Sequence, residues 1–318
     1  MKHSLDKVSE IVWKQCLRIK KGEQALIVTD KGKLDIANSL LRVGEKLCIC
    51  KMIEIPKAKI HGEEPPGWAA EKMLGMNAII APTSFSITHT RATKQASGQG
   101  ARVITMPNIE KETFLRAIPI DYQKMKQFGE RVKRFLSGNE IRVETRAGTD
   151  LTVFEGDRKI IVCAGIPKKG ETYNLPTGEV AFAPMEGKTE GKLIVDASCA
   201  PDSETKFGKI GLVKKPFRID IEGGEAVDCE NGVLWKWITH AKNGSNVAEF
   251  AIGINPKARI IGNVLEDEKV LGTSHVAFGT NANIGGVVRS DIHLDAVFRK
   301  PTISVDGKII IRKGKFLF

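Results

Sequence analysis

The chain has 318 residues, 42% hydrophobic and 27% charged, with a formal net charge of +11. That length is enough to bury two cores, and no apolar run reaches the roughly 18 residues that a membrane-spanning helix needs, so a cytoplasmic protein with no membrane partner is expected. The basic excess lies in residues 1–140, with 24 basic against 15 acidic residues, compared with 25 against 23 in residues 141–318; it is spread among predicted helices without interleaved aromatics, which argues against specific nucleic-acid binding.

At the N-terminus, Leu5, Val8, Ile11, Val12, Cys16 and Ile19 recur at helical spacing. Strand-like runs at 25–28, 47–55, 78–81 and 102–106 then alternate with helix-like stretches at 34–43, 66–75 and 88–97, the pattern of a doubly wound parallel α/β sheet. Gly98 and Gly100 precede a strand and do not open a helix, so a dinucleotide fingerprint is absent. The segment 83–91, with His89, is placed on the rim at the carboxyl ends of the strands. A break at Ser137, Gly138 and Asn139 separates this Rossmann-like domain, 1–138, from a β-rich α+β catalytic domain, 139–318. In the latter, strands are predicted at 140–145, 151–155, 160–163, 192–196 and 219–221. A helix at 233–241 carries Trp235, Trp237 and His240, read as core. The six cysteines are scattered without a CxxC, and core packing is their expected role.

The chemistry-bearing residues fall in the second domain. His293 and Asp295 stand at i and i+2 of a predicted strand and so present an imidazole and a carboxylate on one face. His275 sits in a glycine-bracketed alternating segment, while Glu249 and Glu179 each interrupt an apolar run, where a charge is costly unless it is paired. Three carboxylates and two imidazoles suit a divalent metal such as Zn, Co or Mn. No GxSxG is present, which disfavours a hydrolytic serine triad.

The segments LPTGEVAFAP (175–184), AEFAIGINP (248–256), LGTSHVAFG (271–279), SDIHLDAV (290–297) and VDGKII (305–310) occur in the order of, and resemble, the M29 metallo-aminopeptidases, the aminopeptidase T group. The resemblance implies Glu179, Glu249, His275, His293 and Asp295 as metal ligands and two divalent ions (Zn, Co, Mn or Mg). It also implies a peptide substrate cleaved at its N-terminal residue, with Glu249 beside the attacking water, and a homodimer. Two departures stand out. Ala282 occupies the position of the family's tyrosine, and only 18 residues separate His275 from His293. Of the two tyrosines in the chain, Tyr173 is the one near a site motif. The alternative is a related branch, the 2,5-dihydroxypyridine dioxygenases, in which comparable His and His-x-Asp positions hold a single Fe(II). On that reading His275, His293 and Asp295 form the facial triad and the glutamates are not required.

Overall fold

The computed structural model describes residues 4–318. The chain divides into two compact units, one formed by residues up to Gln123 together with Ala164–Thr177, the other by Lys124–Cys163 together with Gly178–Phe318.

In the first unit a five-stranded, wholly parallel sheet runs in the order Ile49–Glu54, Gln24–Thr29, Ala78–Thr83, Arg102–Pro107 and Thr172–Asn174. Ala78–Thr83 and Arg102–Pro107 are buried at every position, as strands covered on both faces must be. On one face Leu26, Val28, Ile79, Ala81 and Val103 pack with Ala69 and Met73 of the helix Gly67–Met73 and with Ala92 and Ala96 of Arg91–Gly98. The helix Leu34–Gly44 packs on the first two strands of the chain and against Leu5–Ile11. The α/β class expected from the alternation is therefore present, with a parallel N-terminal sheet and antiparallel sheets in the other unit.

Local chemistry explains where the element boundaries differ from the sequence pattern. The third predicted helix starts at Arg91 because Thr90 caps it, its hydroxyl accepting from Thr93 N and donating to Ile87 O. The second predicted strand starts at Ile49 because the amides of Leu47 and Cys48 still bond back to Gly44 O. The fifth strand, Thr172–Asn174, is only three residues long, too short for a periodic signal. Asp30, 2% exposed, joins the loops that follow two adjacent strands: its carboxylate accepts from Gly32 N and from both the amide and the hydroxyl of Ser84. His89, placed on the rim by the sequence pattern, is exposed.

The second unit holds two antiparallel sheets. One has eight strands, ordered Glu225–Cys229, Phe217–Glu222, Glu190–Val195, Asp150–Phe154, Glu140–Glu144, Thr302–Val305, Lys308–Arg312 and Lys315–Phe316. The other has seven, ordered Gly211–Leu212, Ser198–Cys199, His293–Phe298, Ser274–Gly279, Val247–Gly253, Glu179–Phe182 and Ile161–Cys163. Glu140–Glu144 alternates exposed and buried positions, whereas Val247–Gly253 and Ser274–Gly279 are buried throughout. The helix Gly232–His240 buries Leu234 and Ile238, spaced four apart. Trp235 and Trp237 flank that stripe half-buried and His240 is exposed, so the reading of these three as core is corrected. Among the described residues no helix is long and apolar enough to cross a membrane.

Asp30→Ala is expected to lower stability by about 2 kcal/mol, since it strands several donors of a buried carboxylate. An unchanged denaturant midpoint for the variant would show that these loops are held by other contacts.

Candidate metal centre

Cross-strand register assembles the site. Residues paired across an antiparallel sheet share a face, as do i and i+2 along a strand. Cys163 pairs with Glu179, Glu179 with Gly253, Ala251 with His275, Glu249 with Ala277, Ala277 with Asp295, and Gly279 with His293. All five residues singled out in the sequence therefore stand on one face of the seven-stranded sheet. The positions between them on that face are Ala181, Ala251, Gly253, Ala277 and Gly279, whose small size leaves room for long polar side chains to converge. A shift of register between Val247 and Glu249 places a bulge beside the glutamate.

The side chains meet around the two imidazoles. His275 Nε2 lies 3.6 Å from Glu249 Oε1, 3.7 Å from Glu179 Oε2 and 3.9 Å from Asp295 Oδ1. His293 Nε2 lies 3.2 Å from Glu249 Oε2 and 3.4 Å from Asp295 Oδ1. Glu249 and Asp295 thus each reach both imidazoles. His293 Nδ1 is 2.9 Å from Thr280 O, so that nitrogen carries the proton and donates it, and Nε2 is the atom that could ligate a metal. The His275 side chain is 1% exposed and that of His293 33%, so the His293 side is the open one.

The cluster is rich in buried negative charge. Burial opposes ionisation of Glu249, but hydrogen bonds to His275 and His293 and their charges hold its carboxyl well below the ordinary range. Burial likewise works against a charged His275, yet its bond to Glu249 and the charges of Glu268, Asp295 and Glu249 raise it to about 9. The imidazoles are drawn toward the protonated form, as expected of a site that needs cations.

Two residues without a sequence motif complete the cluster. Lys269 Nζ is 2.5 Å from Glu179 Oε2 and also bonds Glu268; the Lys269 side chain is 5% exposed. Burial and the charges of Asp295 and Glu179 push Glu268 up to about 8, against the pull of Lys269. Gly253 admits this pair: a Cβ there would stand 2.2 Å from Val270 O and 2.8 Å from Glu268 O, so only glycine lets the segment carrying Glu268 and Lys269 press onto the sheet. The signal for Lys269 was a lysine in a loop, and nothing in its local sequence places it against Glu179, 90 residues away.

The donor set fits one divalent ion. Ligands at about 2.1 Å from an ion and at right angles to one another stand roughly 3 Å apart, close to the separations from His293. Among the described residues three donor triads lie close enough to hold a metal: Glu249, His293 and Asp295; Glu179, Glu249 and His275; and Glu268, His275 and Asp295. Lys269 already binds a carboxylate of the last two.

Ala282 is half-buried in the connection between Ser274–Gly279 and His293–Phe298. That connection is fastened by Asn281, whose Oδ1 accepts from Val288 N at 2.8 Å, and by Glu186, which accepts from Asn281 Nδ2 and Val287 N. Tyr173 lies in the parallel sheet of the other unit, paired with Ile104.

The sequence profile of the NicX family, 2,5-dihydroxypyridine 5,6-dioxygenase, matches residues 14–318. No curated protein sequence matches this one. Among solved structures, the chain is similar to 2,5-dihydroxypyridine dioxygenase from Pseudomonas putida KT2440, with a TM-score of 0.81 over 98% of this chain and 96% of that one at 16% identity. It is also similar to wild-type AmpT from Thermus thermophilus, with a TM-score of 0.71 over 99% of each chain at 19% identity. At such identities the two structures speak for the fold alone.

The profile match overturns the M29 assignment and, with it, the hydrolase class, the aminopeptidase activity, the peptide substrate and the pair of Zn, Co, Mn or Mg ions. The homodimer loses the resemblance on which it rested. Glu179, expected as a ligand of the two-ion site, is engaged by the Lys269 ammonium.

Metal-free protein is expected to take up one divalent ion per chain. His293→Ala and Asp295→Ala should each weaken uptake by more than the roughly 10- to 100-fold typical of losing an outer-shell partner. Metal analysis after dialysis checks this, and full occupancy in both variants would remove these residues from the centre. Gly253→Ala should cost about 1–3 kcal/mol through backbone overlap, read as a lower unfolding midpoint.

Proposed function

Because the chain belongs to the NicX family of 2,5-dihydroxypyridine 5,6-dioxygenases, we propose that it is a mononuclear metal-dependent dioxygenase that opens the ring of a small hydroxylated aromatic heterocycle. The profile match across residues 14–318 carries this reading. The convergence of two imidazoles and Asp295 on one sheet face supports it, since two histidines and one carboxylate form the donor set of non-haem Fe(II) oxygenases.

In this proposal His275, His293 and Asp295 would hold a single Fe(II). When bound, the ion would supply the one-electron chemistry that dioxygen needs to react with an aromatic ring. The protein's own residues prepare the substrate. Glu249, with Oε2 3.2 Å from His293 Nε2, is placed to take the proton of a substrate hydroxyl and so bring the ring in as its more electron-rich anion. Thr280 O fixes the ring orientation and tautomer of His293. Lys269 offsets the charge of Glu179 and bonds Glu268, which burial pushes toward its neutral form, and thereby limits repulsion of an anionic substrate from the deep side of the site.

Protein reconstituted anaerobically with Fe(II) is expected to consume one dioxygen per 2,5-dihydroxypyridine, with loss of the ring's ultraviolet absorbance. Loss of neither 2,5-dihydroxypyridine nor another hydroxylated pyridine or benzene would defeat the proposal. Glu249→Gln should retain the metal while turnover falls by about 10²- to 10⁴-fold, the usual worth of a positioned proton acceptor. Unchanged turnover in that variant would assign the proton to another group.

A further inference from the structure

We propose that Lys269 occupies the place of a second divalent cation and thereby restricts the centre to one metal ion. The inference rests on the single-metal reading above and extends it to the residue that sets the number. Among the described residues three overlapping donor triads meet here, and one of them, Glu249, His293 and Asp295, has no member bonded to Lys269. In each of the other two, the Lys269 ammonium is bonded to a carboxylate, Glu179 in one and Glu268 in the other. The side chains of Lys269, Glu268 and Glu179 are 5%, 9% and 11% exposed, so water contributes little to stabilising these charges.

Buried carboxylates must be neutralised, and the fold does so with a tethered monovalent cation that dissociation cannot remove. A free ion entering the Glu179–Glu249–His275 triad would have to displace an ammonium held at high local concentration by its own backbone. That backbone is itself pinned: Asn255 N donates to Lys269 O at 2.8 Å, and Lys269 N to Glu266 O at 3.0 Å. Gly253, facing Glu179 in register, gives the segment its close approach. Binding at His293 and Asp295, neither of which bonds Lys269, meets no such competition. Without the ammonium, Glu179 and Glu268 become two uncompensated carboxylates beside His275, a ready donor set for a second ion.

Mn(II) titration followed by metal analysis and electron paramagnetic resonance tests the proposal without an activity assay. The native protein should saturate at one Mn(II) per chain with an uncoupled signal. Lys269→Met, which keeps the stem volume and removes the charge, should bind two Mn(II) per chain and show a spin-coupled signal, because ions in such a pair stand about 3.5–4 Å apart. Lys269→Arg, which retains a cation, should stay at one, and Lys269→Met combined with Glu179→Gln should return to one. If Lys269→Met is unfolded without metal, Mn(II) should restore its fold with two ions bound, and failure of Mn(II) to do so would overturn the proposal. Two ions in the native protein, or one in folded Lys269→Met, would also overturn it. These outcomes are independent of whether a hydroxylated pyridine is consumed, so failure of the substrate reading and failure of this one are told apart.

Discussion

Compensation of buried negative charge is the constraint around which the second unit is organised. Glu179, Glu249, Glu268 and Asp295 crowd one face of a sheet whose central strands are covered on both sides, an arrangement that would cost several kcal/mol per unpaired charge. Each carboxylate has a cationic neighbour: Lys269 serves Glu179 and Glu268, and the imidazoles serve Glu249 and Asp295. The small residues on that face follow from the same requirement. A leucine at Ala277, between Glu249 and Asp295 in register, would fill the space where the charged groups meet their partners.

Much of this face was legible in the sequence because strand geometry is periodic. His293 and Asp295 are related by a two-residue step, and Glu179 and Glu249 stood out as charges inside apolar runs, so local rules sufficed to select them. The alternation of strands and helices in the first half likewise revealed a parallel α/β sheet, because buried parallel strands are apolar runs. Other features lay beyond local rules. Thr172–Asn174 joins the parallel sheet from a distant part of the chain, and Lys269 reaches Glu179 only through the tertiary path that Gly253 permits. The tryptophans at 235 and 237 were misplaced because hydrophobicity alone does not say which side of a short helix is covered, and Leu234 and Ile238 took that side.

The motif order that resembled an aminopeptidase marks a cluster of ligand-type side chains, and one fold serves enzymes of different chemistry. The similarity to both the Pseudomonas putida dioxygenase and Thermus thermophilus AmpT is one of fold, near-complete coverage at under 20% identity. Five ligand-type residues in the expected strands therefore could not decide between hydrolysis and oxygenation. Departures within the motifs were more telling than the matches: Ala282 removes the phenol, and the short connection 280–292 is closed into a compact loop by Asn281 and Glu186.

A tethered ammonium and an exchangeable metal ion answer the same electrostatic demand with different consequences. An ammonium supplies one charge and no open coordination position, so it can neutralise carboxylates without creating a second reactive centre. Its location gives the face a polarity from deep to open: Lys269 and His275 are closed off at 5% and 1% exposure, whereas His293 is one-third exposed. Small molecules therefore meet the cluster from the His293 side, where Glu249 and Asp295 each stand within 3.4 Å of its Nε2. The buried ammonium thus lies on the closed side of the cluster, and the half-open imidazole of His293 faces the side from which a small molecule can arrive.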